Sequence, residues 1–297
     1  MPFAHRLFFR FINFCAQFEI KKRRLFLIYI LPVFSLFEYR NKKSKEMVKY
    51  VSKSLNIKTT YSAKMLRSSL SHLYLITADA KSFNARGKEK ILEDFKIFSV
   101  ENHQYIDQIN QANKTVILAT FHCASYFLSL GYLSATEFKN KRILFFKKLK
   151  PSSTESELIA GLVNAGIDCK LFVLDEAQSI TREFIKSINE VPSVLFHMCD
   201  IPPLKSRSLD VRWLGETQPV SCGIIDLARL LNAPIFVATY QITGDQDLIK
   251  LHNPITTQEC RSNPTQSLQK IMAYGESQIR KAPTQWQLWS DWFHTRH

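Results

Sequence analysis

The sequence predicts an α/β protein, a mixed, mostly parallel central sheet flanked by helices, preceded by an N-terminal amphipathic helical arm. Three observations carry this expectation. From Thr115 onward, short apolar runs alternate with stretches of helical spacing, the pattern of repeated βα units. From Lys49 to Phe98 the apolar residues recur at helical spacing instead. With 297 residues, of which 45% are hydrophobic and 22% charged, the chain is long and apolar enough to bury a sizeable core.

Taken in order, Phe3–Phe18 predicts an amphipathic helix. Arg6, Arg10, Asn13 and Gln17 recur every three or four residues, while Phe3, Leu7, Phe8, Phe9, Phe11, Ile12 and Phe14 cover the rest. The apolar run Leu25–Phe37 follows, bracketed by Lys21–Arg24 and Arg40–Lys45. It contains Pro32 and has only thirteen residues, whereas a membrane span needs about twenty. Residues 1–54 hold twelve Lys/Arg against three Glu, so much of the formal charge of +14 sits at one end. Basic residues flanking apolar runs favour a lipid surface, because each cation near anionic headgroups contributes about 1 kcal/mol. A secretory signal is the competing reading, but no small-residue cleavage site follows the run. The simplest division is a membrane-associating segment, residues 1–48, and one α/β domain, residues 49–297.

Within Lys49–Phe98, one helical face carries Met65, Leu66, Leu70, Leu73, Leu75 and Ile76, and another Ile91, Leu92, Phe95 and Phe98. A polar helix around Glu101–Ala112 leads to Thr115–Leu133, where the apolar run Thr115–Phe121 reads as a buried strand ending at His122 and followed by a helix. Further strands are expected at Arg142–Phe146, Cys169–Leu174, Pro192–Cys199 and Ile235–Tyr240, with an edge strand at Asp210–Leu214. Helices are expected at Ser152–Asn164, Ser179–Ile188, Val220–Leu231 and Thr265–Lys281. The ending PTQWQLWSDW, with three tryptophans in seven residues, suits either core packing or a lipid interface.

Composition excludes several function classes. The six cysteines are scattered, with no C-x-x-C pair and no zinc spacing, and read as reduced, mostly buried thiols. None of the eight glycines falls in G-x-G-x-x-G, a P-loop or G-x-S-x-G, so dinucleotide binding, P-loop phosphate transfer and an α/β-hydrolase nucleophile lack support. No metal or other cofactor is expected. Charge alone would admit nucleic acid, but no recognisable binding module accompanies it and none is expected as a partner.

Two loops at strand ends hold the candidate chemistry. His122 has the residue type and place of a general base, since neutral imidazole can take a hydroxyl proton. A lone histidine beside apolar residues is more often a core or rim residue, so the residues alone leave both readings open. In the loop Asp200–Leu209, Asp200 with Lys205 and Arg207 suits an anionic group or the orientation of a histidine. Turn prolines Pro202 and Pro203 allow a plain solvated loop equally. Asp168, Asp175 and Glu176 also lie near strand ends and cannot be ranked by spacing.

Three blocks in order, VILATFH, VLFHMCDIPPLKSRSLDVRWLGETQPVSCGIIDLARLLNAPIF and KAPTQWQLWSDWF, resemble the late acyltransferases of lipid A biosynthesis, the lauroyl/myristoyl transferase family, over about Lys114 to Phe293. The resemblance implies an α/β acyltransferase at the cytosolic face of the inner membrane, peripheral or monotopic. Such an enzyme moves a fatty acyl chain from acyl carrier protein to a hydroxyl of a glycolipid or other lipid-linked acceptor. In the family pattern a histidine opens H-x4-D/E, deprotonating the hydroxyl while the acid orients it. His122 matches the histidine, Asp200 the aspartate after a later apolar strand, and Gly215 the glycine after an aromatic strand end.

The chain departs from the pattern at Phe127, which stands where the acid belongs, and it has no arginine between Arg142 and Arg182, where relatives usually carry one. Either another carboxylate replaces the acid, with Asp200 the first candidate, or His122 acts unaided and slowly. The third reading is a catalytically silent homologue that binds lipid or carrier protein.

Overall fold

The computed structural model describes residues 10–27, 29, 42–147, 153–173, 182–203, 207–244 and 246–294. Its strands are β1 (Phe98–Glu101), β2 (Val116–Thr120), β3 (Arg142–Lys147), β4 (Cys169–Val173), β5 (Ser193–Met198), β6 (Ser208–Trp213), β7 (Glu216–Ser221), β8 (Ile235–Thr243) and β9 (Gln246–Ile255). Seven of them form one sheet in the order β1-β9-β8-β2-β5-β3-β4. The five from β8 to β4 run parallel; β9 is antiparallel to β8, and β1 is parallel to β9. This is the mixed, mostly parallel sheet the βα alternation predicts.

Helices cover both faces. They are α1 (residues 10–15), α2 (residues 20–27), α3 (Lys42–Leu55), α4 (Thr59–Asp94), α5 (Gln104–Gln111), α6 (Tyr126–Tyr132), α7 (Ser153–Asn164), α8 (Arg182–Glu190), α9 (Gly223–Leu231), α10 (Thr257–Ser262), α11 (Pro264–Lys281) and α12 (Trp289–His294). Strand β2 is buried at all five positions, which is why it reads as a continuous apolar run rather than an alternation. Its Val116 and Leu118 pack toward α4, α5, α6 and α7, while Ile117, Ala119 and the following Phe121 pack toward α9, α11 and the C-terminal tryptophans. Each such buried aliphatic or aromatic side chain contributes about 1.5–3 kcal/mol relative to exposure.

Several expectations change. The helical stretch expected to reach Phe98 ends at Asp94, is broken at Gly87 (φ 73°), and gives way to β1. A four-residue strand made by pairing with β9, about 150 residues later, leaves too little local pattern to see. Strand β9 itself was not foreseen. Leu73, assigned to an apolar face, is exposed. The strand expected at the sheet edge, Asp210–Leu214, belongs instead to a separate antiparallel hairpin of β6 and β7. Leu214 (φ 53°) and Gly215 (φ 85°) form its two-residue turn, both left-handed as a twist-matched hairpin requires. The expected helix start at Val220 is thereby taken by β7.

The basic cluster Lys21–Arg24 also divides differently from the expectation. Arg23 and Arg24 are buried and ion-paired: Arg23 Nε lies 2.7 Å from Asp79 Oδ1, and Arg24 lies 2.6 Å from Asp247 and 3.1 Å from Asp79. Arg86 Nε meets Asp94 at 3.1 Å beside them. These arginines serve the protein interior, because aspartates on α4 and β9 compensate their desolvation. Ile12, Cys15 and Leu27 pack on Leu75 and Ala78 of α4. Most of the run Leu25–Phe37 and the start of Phe3–Phe18 lie outside the described residues. Among the described residues, no helix is long and apolar enough to cross a membrane.

Candidate functional site

The carboxyl ends of adjacent parallel strands form the site. In the β2–β5 register Thr120 pairs with Met198, so His122 and Asp200 each stand two residues beyond the last paired position. Cys199 N–H donates to Thr120 O at 2.9 Å and extends the pairing toward them. Crevices outside the carboxyl ends of open α/β sheets are where such folds place ligands.

His122 occupies a sharp turn. Cys123 N–H donates to Phe121 O at 2.7 Å, a bond that spans only two residues, and buried Ala124 adopts φ 50°. A left-handed alanine is strained, and such strain persists only where the surroundings hold it. Here Ala124 N–H donates to Gln285 O, and Gln287 N–H donates to His122 O. From below, Gly275 brings α11 against Phe121: a Cβ there would lie 2.2 Å from the ring.

Asp200 Oδ1 lies 2.8 Å from His122 Nδ1, and Oδ2 accepts from the His122 backbone N–H at 2.8 Å. Trp286 Nε1–H donates to the same Oδ2 at 2.8 Å, and Trp292 Nε1–H to the Asp200 carbonyl at 2.6 Å. The Asp200 side chain is wholly buried, whereas that of His122 keeps 17% exposure. A carboxylate facing Nδ1 selects the Nδ1–H tautomer, which leaves the ring lone pair on Nε2. The Tyr126 ring stands edge-on to His122 at 5.2 Å and packs on Phe127 at 4.2 Å.

Neighbouring groups limit the chemistry. Burial, reinforced by the Asp200 charge, pushes the Cys123 and Cys199 thiols well above their usual range, which leaves them poor nucleophiles. Burial lowers His197, two residues before Cys199, to about 4. Burial raises the Asp291 carboxyl, while the charges of His122 and His294 pull it down. Among the described residues, no group of three or more His, Cys, Asp or Glu could hold a metal ion. A cavity of about 480 Å³ lined by Lys88, Lys141, Arg142 and Asp168 lies at the opposite ends of the strands.

Of the four candidate residues, the structure therefore joins His122 and Asp200. Arg207 is exposed and pairs with Asp226 of α9, its Nε at 3.1 Å. Lys205 lies outside the described residues, as do Asp175 and Glu176. Asp168 binds Arg142 at the far end of the sheet. Reasoning from sequence missed the attachment of Trp286 and Trp292 to Asp200; the tryptophan-rich ending was the available signal, and its core reading is the correct one, since all three are buried. It also missed Asp79, which accepts the Ser125 hydroxyl three residues after His122 and ties this turn to Arg23 and Arg24.

No curated protein sequence matches the chain. A family model, bacterial lipid A biosynthesis acyltransferase, matches residues 59–297, which include the whole sheet, His122, Asp200 and the C-terminal tryptophans, and the chain belongs to that family of acyltransferases acting on lipid.

Proposed function

We propose that the protein is a membrane-associated O-acyltransferase that moves a fatty acyl chain from acyl carrier protein to a hydroxyl of a glycolipid or other lipid-linked acceptor. The observation that carries this reading is the 2.8 Å contact of His122 Nδ1 with Asp200, made although Phe127 replaces the motif acid. His122 Nε2 takes the acceptor hydroxyl proton as its oxygen attacks the thioester carbonyl. The tetrahedral intermediate collapses to the new ester, and the departing thiolate takes the proton from the imidazolium. Asp200 holds the ring and stabilises its charge. Lys205 and Arg207, in the loop after Asp200, are assigned to anionic groups of the substrates.

Membrane docking is assigned to the arm, residues 1–48, with 49–297 as the acyltransferase domain, at the cytosolic face of the inner membrane. Exposed Phe14, Leu25, Phe26 and Tyr29 support this, with Phe18 linking Phe14 (5.0 Å) to Phe26 (5.5 Å) and Lys21 and Lys22 exposed between them. An apolar, aromatic surface with cations beside it suits an anionic lipid interface.

The test measures transfer from acylated carrier protein to lipid acceptors by wild type and His122→Ala. Transfer that is lost in the variant supports the reading; equal rates remove His122 from it. No transfer by either protein over a broad range of acceptors favours the silent homologue, the alternative that Phe127 motivates.

A further inference from the structure

The Asp200 carboxylate is held by more than His122. Its three acceptor contacts come from His122 Nδ1, the His122 backbone N–H and the indole of Trp286. Trp286 is fully buried, and its own carbonyl accepts the Ser69 hydroxyl of α4 at 2.9 Å. Its ring meets Trp213 edge-on at 5.9 Å and Trp289 edge-on at 4.7 Å. Its backbone bridges antiparallel to Cys123, and the flanking bonds, Ala124 N–H to Gln285 O and Gln287 N–H to His122 O, close on both sides of Cys123. One short segment thus touches both halves of the pair: the main chain of Gln285 and Gln287 holds the His122 turn, and the Trp286 side chain between them holds Asp200.

We propose that Trp286 is a positioning residue for the His122–Asp200 pair. Its indole N–H locks the Asp200 carboxylate in the rotamer that presents Oδ1 to His122, which is the orienting function an acid five residues after His122 would otherwise serve. A carboxylate that replaces a motif acid from a distant strand has no helix of its own to set its angle. Free to rotate about its Cβ–Cγ bond, it would meet Nδ1 only part of the time. A third donor removes that freedom, and because it is neutral it leaves the charge of the pair unchanged.

This inference rests on the catalytic reading of His122 and Asp200, and its test separates the two. Trp286→Phe keeps a buried aromatic ring but loses the donor together with part of the ring volume. Trp289→Phe, whose indole N–H donates to Pro283 O, is the matched control for lost ring volume. Hydrogen bonds to charged groups of this kind correspond to about 10- to 100-fold in rate, so Trp286→Phe is expected to lower kcat by that factor with KM within about 3-fold, while Trp289→Phe does not. In full-length protein in detergent, the His122 Nδ1–H proton resonance is expected to broaden or shift in Trp286→Phe and to persist in Trp289→Phe. A companion variant that leaves all tryptophans in place, Asp200→Asn, is expected to move the Trp286 indole N–H resonance and not that of Trp289. Kinetics and resonances of Trp286→Phe matching those of Trp289→Phe would overturn the inference while wild-type and His122→Ala rates leave the catalytic reading standing. Wild-type inactivity would overturn the catalytic reading, and the resonances alone would then decide whether Trp286 orients Asp200.

Discussion

Asp200 Oδ1 meets His122 Nδ1 at 2.8 Å across 78 residues of sequence. Neither lies on a regular element; both extend strands that pair with each other, and the contact is set by the register of β2 on β5. In better-studied constellations, converting the acid to its amide leaves the ring in the wrong tautomer and reduces kcat about 10⁴-fold. Asp200→Asn is therefore expected to lower kcat by about 10³- to 10⁴-fold with little change in KM, read in steady-state acyl-transfer assays. A loss below about 10-fold would show that His122 works without it.

Phe127 packs on Tyr126 and the core beneath α6. With the His122 ring already facing Asp200, Phe127→Ala is expected to act only through packing. Its kcat is expected within several-fold of wild type, with a stability loss of about 2–4 kcal/mol in urea unfolding for a partly buried aromatic. A collapse of kcat like that of Asp200→Asn would place Phe127 at the reacting atoms.

Asp79 joins the arm to the His122 turn, accepting from Arg23, Arg24 and Ser125. Burial alone would raise its carboxyl, and the charges of Arg23 and Arg24 outweigh that, holding it below the usual range. Asp79→Asn leaves two buried guanidinium groups under-compensated and is expected to destabilise the protein by about 3–5 kcal/mol, measured by chemical denaturation. A change under about 1 kcal/mol would show that water replaces the aspartate.

Alpha helix α11 touches Phe121 through Gly275, where no side chain fits. Gly275→Ala must displace the ring that directly precedes His122. The expected outcome is a loss of about 1–3 kcal/mol from overpacking, together with reduced kcat; unchanged Tm and kcat would show that α11 can shift to accommodate it.

Burial lowers both His197 and His252 to about 4, the latter helped by the charges of Lys250 and Lys281. The unfolded side chains titrate near 6.5, so between those values the unfolded chain binds more protons. Their contribution to stability is complete above about pH 6.5 and is lost as pH falls toward 4. Tm is expected to drop across that window, and His252→Gln, which keeps a partner for Thr239, should make the drop smaller. An equal drop in wild type and variant would exclude His252 from the transition.

Much of this protein follows from local pattern. The apolar run Val116–Thr120 is a buried strand because residues covered on both faces need no polar alternation, and Pro264–Lys281 is a helix because its apolar positions recur at the helical period. His122 and Asp200 stand out singly for the same local reason, each ending such a run. Local pattern could not join them. Their contact depends on β5 lying beside β2 although two strands intervene in the chain, and on a register that no short-range feature encodes. The same holds for Arg23 and Arg24, surface cations by composition and buried ones in fact, because the aspartates that neutralise them come from α4 and β9. Tertiary structure alone decided that Asp200 meets the His122 ring, and that the indole of the C-terminal Trp286 donates to that aspartate.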